Sequence, residues 1–305
     1  IGNERMPKQG RSTLVVGGRF AMHEGRLAAS RDRRHGLQIM SFEQAAVRLA
    51  GGFVRPIDPE NLHAAIQAVL PATELGELEG IKLLPGMVDA AAETLNKVWH
   101  AAIDLAECAG NHPRLTAIAR LEAAVLEQLP DNMLRPVDIV AAAIGRVHHA
   151  PAILGSMEIV GLTELSPCWR PLLEALSAHI PVQWSAGPRS VPSWLEGTGV
   201  TITRSLAKAP GISSVSAATA YHEAIEAMRW ARGLLASGVS PSEIAIAAAS
   251  PGEYDDHFLA LRADANIDLH FVHGVRTVTT REGQSAAALA DIVVRGLSQS
   301  RLRRL

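Results

Sequence analysis

The sequence predicts an α/β protein in which an all-helical segment interrupts a parallel sheet and a second, incomplete α/β unit follows. Short apolar runs alternate with helical patterns over residues 13–50 and 157–203, as in strand–helix–strand units. Continuous helical periodicity separates these two stretches. The predicted domains are one sheet domain from 1–56 and 151–204, an inserted helical subdomain from 57–150, and a second α/β domain from 213–305.

The first strand is predicted at residues 13–17, a compact apolar run that ends in Gly17-Gly18. A helix over residues 20–30 and a strand over residues 37–40 follow. Ser41 and Gln44 have the spacing of a capping box and begin a helix that reaches about Ala50. Strand and helix thus alternate twice, which indicates a parallel layer.

The helical segment begins at Asp58-Pro59, a capping residue followed by proline in the first turn. Leu62, Ala65, Ile66, Val69 and Leu70 then recur on one helical face. We predict further helices over residues 88–107, 115–128 and 137–149. No strand is predicted between residues 57 and 150.

After Pro151 the alternation of strands and helices resumes. The elements predicted there are strands at 157–160, 181–184 and 200–203 and a helix at 169–179. In the second unit we predict helices at 217–237, 253–264 and 283–296, strands at 244–248 and 269–272, and a capping pair of Thr279 with Glu282.

Composition argues against several classes of protein. The apolar runs are far shorter than the ~20 residues that span a bilayer, and no signal-peptide pattern is visible, so we expect a soluble cytoplasmic protein without membrane contact. Cys108 and Cys168 form no CxxC pair, which disfavours a disulfide framework or a zinc site. We expect no metal and no cofactor. The chain starts at Ile1 and ends in Arg303-Arg304-Leu305, which suggests a piece of a longer protein.

Charge is close to balanced over the whole chain but uneven along it. The net charge of −2 disfavours a generally basic nucleic-acid surface. Residues 1–35 nevertheless carry eight Lys or Arg against three Asp or Glu. Arginine suits bidentate phosphate contacts, although genome composition explains an arginine bias equally well.

The stretch Met157–Pro167 is the most informative part of the chain. In phosphate-hydrolysing α/β domains, a strand of this kind ends in acidic residues that hold Mg²⁺ and orient the attacking water. Val160 and Gly161 stand at that position instead. Glu164 is the nearest carboxylate, either a remnant metal ligand or, as we favour, an acid that caps the following helix.

The segment Gly161–Pro167 resembles a "DGFTDLTP" version of the Walker B region, and Thr13–Gly18 resembles helicase motif Ia. Residues 36–50 resemble the pattern that follows motif Ia. In this order the elements are similar to a superfamily 1 helicase core, specifically the helicase-like region of AddB/RexB-type proteins of the PD-(D/E)XK nuclease family. The resemblance implies a P-loop-NTPase (RecA-like) domain with a helical insertion, a partial second RecA-like domain, and a role in DNA repair and recombination.

The motifs that carry chemistry in that family are absent from the sequence. A P-loop requires Gly-Lys within GxxxxGK[ST], and no Gly-Lys dipeptide occurs. The nuclease signature is missing as well. The resemblance therefore implies a catalytically inactive region that guides single-stranded DNA and docks a helicase or nuclease partner subunit. Two alternatives stay open: an ATP-dependent enzyme whose P-loop lies before Ile1, and a protein-interaction scaffold that does not bind DNA.

Four residues are candidates for weak contact with single-stranded DNA. Arg19 and Arg26 follow the first strand, where motif Ia residues touch the DNA backbone, although a solvated helix face explains them equally well. Arg189 and Trp194 flank a turn after a later strand. Trp194 is interpreted either as a base-stacking residue or, as we favour, as part of a packed core.

Overall fold

The computed structural model describes residues 10–187, 191–204, 211–277 and 280–303. The chain forms two compact units, Ile1–Lys208 and Ala209–Leu305. The strands of the first unit are β1 (Ser12–Val16), β2 (Leu37–Met40), β3 (Arg55–Pro56), β4 (Met133–Leu134), β5 (Ser156–Val160), β6 (Val182–Gly187) and β7 (Thr201–Arg204).

Nine α-helices accompany these strands in the described part of the first unit. They are α1 (Gly18–Arg31), α2 (Phe42–Leu49), α3 (Pro59–Val69), α4 (Met87–His100), α5 (Leu105–Cys108), α6 (Pro113–Gln128), α7 (Pro136–Ile144), α8 (Ala150–Ile153) and α9 (Arg170–Ser177). The capping box predicted at the start of α2 is confirmed, since Ser41 and Gln44 each bond the other's backbone N–H.

Five strands form one parallel sheet in the order β2-β1-β5-β6-β7. Every strand predicted for the sheet domain lies in it, so the predicted α/β class with a parallel sheet is confirmed. Successive residues of a strand point to opposite faces. Val15, Ile159 and Trp184 on one face are buried in a core shared with α2, α7 and α9.

Helix α1 packs on the opposite face of the sheet. A Cβ atom on Gly25 of α1 would lie 3.3 Å from the Ile39 side chain and 3.6 Å from that of Leu14. From β1 the chain moves to β2 at one side of the sheet, whereas from β2 to β5 and on to β6 it moves toward the other side. Because crossovers between parallel strands are right-handed, this reversal places α1 on the opposite face from α2 and α9. Further along this face the side chains become polar, as at Glu158 and Gln183.

The inserted helices divide between two cores. Helices α3, α4 and α6 bury Leu62, Leu95 and Leu121 in a core of their own. Helix α7, in contrast, buries Ile139 in the core of the five-stranded sheet. The prediction of no strand between residues 57 and 150 is wrong at β4, which pairs in parallel with β3. A two-residue strand has no periodicity that a sequence could display.

A polar network joins the two cores. The buried carboxylate of Glu122 accepts hydrogen bonds from Trp99 Nε1 at 2.6 Å and from Arg135 Nη1 at 3.1 Å. Arg135 also contacts both carboxylate oxygens of Asp138, at 2.7 and 3.1 Å. The bond to Asp138 raises the pKa of Arg135 above its ordinary value. Because Glu122 is buried, these donors supply the compensation that a buried carboxylate requires.

The second unit contains helices α10 (Ala220–Ala236), α11 (Pro251–Ala265), α12 (Arg281–Arg295) and α13 (Gln299–Leu302). The helices predicted at 217–237, 253–264 and 283–296 are thereby confirmed. The two strands predicted at 244–248 and 269–272 are wrong, because no strand occurs within 211–277 or 280–303. The apolar segments are present but no ladder forms, and a strand exists only with a hydrogen-bonded neighbour.

The small core of the second unit surrounds Ala224, Met228 and Phe258. The predicted capping residue Thr279 lies outside the described residues. Thr280 caps α12 by accepting from the Gly283 backbone N–H at 3.0 Å. None of the helices in the described ranges is long and apolar enough to cross a membrane.

Gly155 provides a test of the junction at which β5 joins β1. Its φ is +69°, and a Cβ there would lie 1.7 Å from the Arg11 carbonyl oxygen. Gly161 has a similar φ of +75° but open space around it. We expect Gly155→Ala to lower the free energy of unfolding by roughly 2–5 kcal/mol and Gly161→Ala by roughly 1–2 kcal/mol, measured by urea unfolding. If the two variants lost equal stability, the close approach of Gly155 to the Arg11 carbonyl oxygen would be contradicted.

Candidate nucleic-acid interface

The carboxyl ends of the neighbouring strands β1 and β5 form the switch point of the sheet. After β1 the chain continues to β2 on one side, and after β5 it continues to β6 on the other side. Val16 and Val160 pair directly at this edge. A Cβ on Gly17 would lie 3.0 Å from the Leu162 side chain, so the turns after the two strands touch. Open α/β sheets bind ligands in the crevice at such a point.

Among the described residues, this crevice shows none of the groups that phosphate hydrolysis requires. Val160 and Gly161 lie where predicted, at the end of β5, and bring neither a carboxylate nor a hydroxyl group. Gly17 precedes α1 without a side-chain cap, and the first turn of α1 carries no acidic residue. The described lysines, Lys82 and Lys97, are ion-paired with glutamates of the helical segment.

Glu164 follows the end of β5, and its carboxylate is hydrogen-bonded to neighbouring side chains. Its Oε1 accepts hydrogen bonds from Trp194 Nε1 at 2.6 Å and from Arg170 Nη2 at 3.1 Å. The following turn begins at Ser166 and has no side-chain cap. The only backbone N–H that Glu164 is seen to bind among the described residues belongs to Leu165, so the expected role as a helix cap is not observed.

Trp194 is surrounded on two sides. The Arg170 guanidinium carbon lies 4.6 Å from the centroid of its ring, within cation–π range. The ring of Trp184 meets it edge-on at 5.9 Å. Trp194 packs against the sheet's core as a half-buried side chain, which agrees with the packing interpretation and leaves little ring surface for a base.

Arg19 and Arg26 are exposed on α1. Seven residues make nearly two turns, so the two side chains leave the same side of the helix with a rise of about 10 Å. Within the described parts of the chain, neither has a carboxylate within 4.0 Å. Arg189 lies outside the described residues. The predicted interface therefore reduces to an arginine pair on α1 beside a crevice without catalytic groups.

A thiol–imidazole contact is a feature that sequence spacing did not reveal. Cys168 Sγ lies 3.8 Å from His100 Nδ1, although the two residues are far apart in the sequence and His100 is the last residue of α4. Burial raises the pKa of the Cys168 thiol to about 12. A thiol that stays protonated is not a nucleophile, so we assign this contact to packing between α4 and the sheet domain.

An imidazole–carboxylate pair lies in the second unit. His273 Nε2 is 3.0 and 3.1 Å from the two carboxylate oxygens of buried Asp255. Tyr254 donates a hydrogen bond to Glu223 at 2.6 Å, which raises the pKa of Tyr254. The His273 contact holds the segment after α11 against that helix, and the Tyr254 bond joins α11 to α10. In the described ranges, no three His, Cys, Asp or Glu side chains converge as a metal site.

Neither a family model nor a curated protein matches this chain.

The partly buried carboxylate of Glu43, in the first turn of α2, should lower the stability of the protein at neutral pH. Burial raises the pKa of Glu43 above its ordinary value of 4.5, and the nearby His100 opposes that shift. A raised folded-state pKa means that stability is lost as pH rises through that value. We expect Glu43→Gln to raise the melting temperature at pH 7, with the gain vanishing below pH ~4. A gain that persisted in acid would contradict burial of the charge as its cause.

The crevice should not bind a nucleoside triphosphate. The sequence has no Gly-Lys dipeptide of a P-loop, and Val160 and Gly161 stand at the end of β5 in place of a carboxylate that would hold Mg²⁺. Calorimetric titration with Mg-ATP should therefore give no heat of binding beyond dilution, and no phosphate should be released. A micromolar dissociation constant would overturn this interpretation of the crevice.

Proposed function

We propose that this chain is a catalytically inactive, helicase-like region that guides single-stranded DNA for a nuclease that processes DNA double-strand breaks. The described residues form the switch point of a parallel α/β sheet, and none of them brings the P-loop lysine or the acidic pair that would bind and hydrolyse a nucleotide. A sheet of this kind keeps a surface for a single strand after its nucleotide chemistry is lost. The sequence resemblance to AddB/RexB-type proteins supports the same role.

The observation that carries the proposal is the state of the arginines on α1. Arg114, Arg135 and Arg170 elsewhere in the first unit are engaged with carboxylates. Arg19 and Arg26 have no such partner among the described residues and extend into solvent. Unpaired guanidinium groups beside a ligand-binding edge suit phosphate contacts that carry little base selectivity.

A surface on the helical segment favours docking of a partner subunit. The loop between α3 and α4 exposes Ile81, Leu83 and Leu84, and Leu83 is 73% exposed. Lys82 anchors this loop through hydrogen bonds to the carbonyl oxygens of Pro71 and Thr73. A fixed apolar patch is typical of a protein contact, and it supports the scaffold role as the second candidate function.

Binding of single-stranded DNA distinguishes these two roles. We expect the protein to bind a labelled oligothymidine weakly in fluorescence anisotropy, with a log–log salt slope of about −2 for roughly three phosphate contacts. The triple variant Arg19→Ala, Arg26→Ala, Arg189→Ala should bind more weakly than the parent protein. A matched control is Arg114→Ala with Arg120→Ala, which removes exposed arginines from the helical segment.

Two outcomes would favour the scaffold. One is undetectable binding by the parent protein at low salt. The other is a triple variant that binds as well as the parent, which would remove α1 from the interface.

A further inference from the structure

The amino-terminal edge of the sheet, opposite the switch point, carries a second basic surface. Each helix that follows a parallel strand runs back to this edge. Helix α2 ends here at Leu49, and the segment after α7 passes here before it enters β5. These two segments bring together Arg48, Phe53, Arg55, Arg146, His148 and His149, which we call the amino-edge patch.

Phe53 is the most exposed large apolar side chain of the described residues, at 90%. It follows Gly51 and Gly52, whose φ angles of +119° and +76° turn the chain outward. An aromatic ring held in solvent by a tight turn contributes nothing to a core. Its whole face is available to a ligand.

Arg146 connects the two segments. Its Nε donates a hydrogen bond to the Leu49 carbonyl oxygen at 3.1 Å, and a Cβ on Gly51 would lie 3.8 Å from its guanidinium carbon. Phe53 is two residues beyond Gly51, so their Cα atoms are at most about 7.6 Å apart. The guanidinium group and the exposed ring therefore lie within reach of one nucleotide.

The patch is positive, and its arginines form no ion pair in the described part of the chain. Residues 44–57 and 139–157 contain no aspartate or glutamate. Within the described residues, no carboxylate lies within 4.0 Å of Arg48, Arg55 or Arg146. Asp58 is near enough for Arg55 to help lower its pKa, but that carboxylate is held mainly by Asn61 at the start of α3.

We infer that the amino-edge patch binds single-stranded nucleic acid, with one base stacked on Phe53 and the flanking phosphates on Arg48, Arg55 and Arg146. An exposed aromatic ring among arginines is the arrangement that sequence-tolerant single-strand binding uses. A duplex keeps its bases stacked, so it offers no free base to Phe53. The ligand class is that of the proposed function, but the surface is different and does not depend on α1.

The test compares two ligands and three variants in fluorescence anisotropy. Phe53→Ala should weaken binding of a labelled oligothymidine at least about fivefold and leave binding of an abasic strand of equal length unchanged. Arg48→Gln with Arg55→Gln should weaken binding of both strands and reduce the salt slope by about 1.4. Arg114→Gln with Arg120→Gln serves as the matched control, and thermal unfolding of each variant establishes that it folds.

A photo-crosslink adds a readout that folding alone does not change. An oligothymidine carrying 5-iodouracil should crosslink to the peptide that contains Phe53. Equal weakening of thymidine and abasic binding by Phe53→Ala, or crosslinks confined to α1, would overturn the inference. Loss of binding on changing Arg19 and Arg26 alone would support only the proposed function, and loss on changing Arg48 and Arg55 alone would support only this inference.

Discussion

The pairing of β1 with β5 is the contact on which the first unit depends. Five residues of each strand lie in parallel register from Ser12 to Val16, although most of the first unit's helices intervene in the chain. Three carbonyl oxygens of the segment before β5 accept hydrogen bonds from side chains in or near β1 and β2. The Arg11 guanidinium binds Ala152, Gln38 binds Ile153, and the buried Thr13 hydroxyl binds Leu154.

A long insertion between paired strands is compatible with stability because loop-closure entropy grows slowly with length. The insertion is also stabilised by its own packing, because α3, α4 and α6 bury their apolar side chains in a separate core. The two cores then need a defined junction. Glu122, bonded by Trp99 from the helical core and by Arg135 at the start of α7, provides it.

Both ends of the sheet carry charged side chains. At the carboxyl edge the nearby carboxylate, Glu164, is engaged by Arg170 and Trp194. Among the described residues of the first unit, arginines without a carboxylate within 4.0 Å lie along α1, at the amino edge and, as Arg204, at the carboxyl end of β7.

Local patterns in the sequence were sufficient for the sheet strands and most of the helices, because period-two and period-3.6 burial and capping chemistry act over a few residues. The sequence alone also shows that no Gly-Lys dipeptide occurs and that Val160 and Gly161, not carboxylates, stand at the end of β5. Local patterns failed at 244–248 and 269–272, where apolar runs resemble strands but no neighbour pairs with them.

Tertiary packing decided the rest. It placed α7 in the sheet's core, turned Glu164 toward Trp194, and set Cys168 against His100. It also brought Arg146 beside Gly51, so that a basic patch with an exposed phenylalanine formed at the amino edge. Each of these contacts joins residues distant in the chain, and nothing in a short window of sequence specifies which distant side chain will fill a given space.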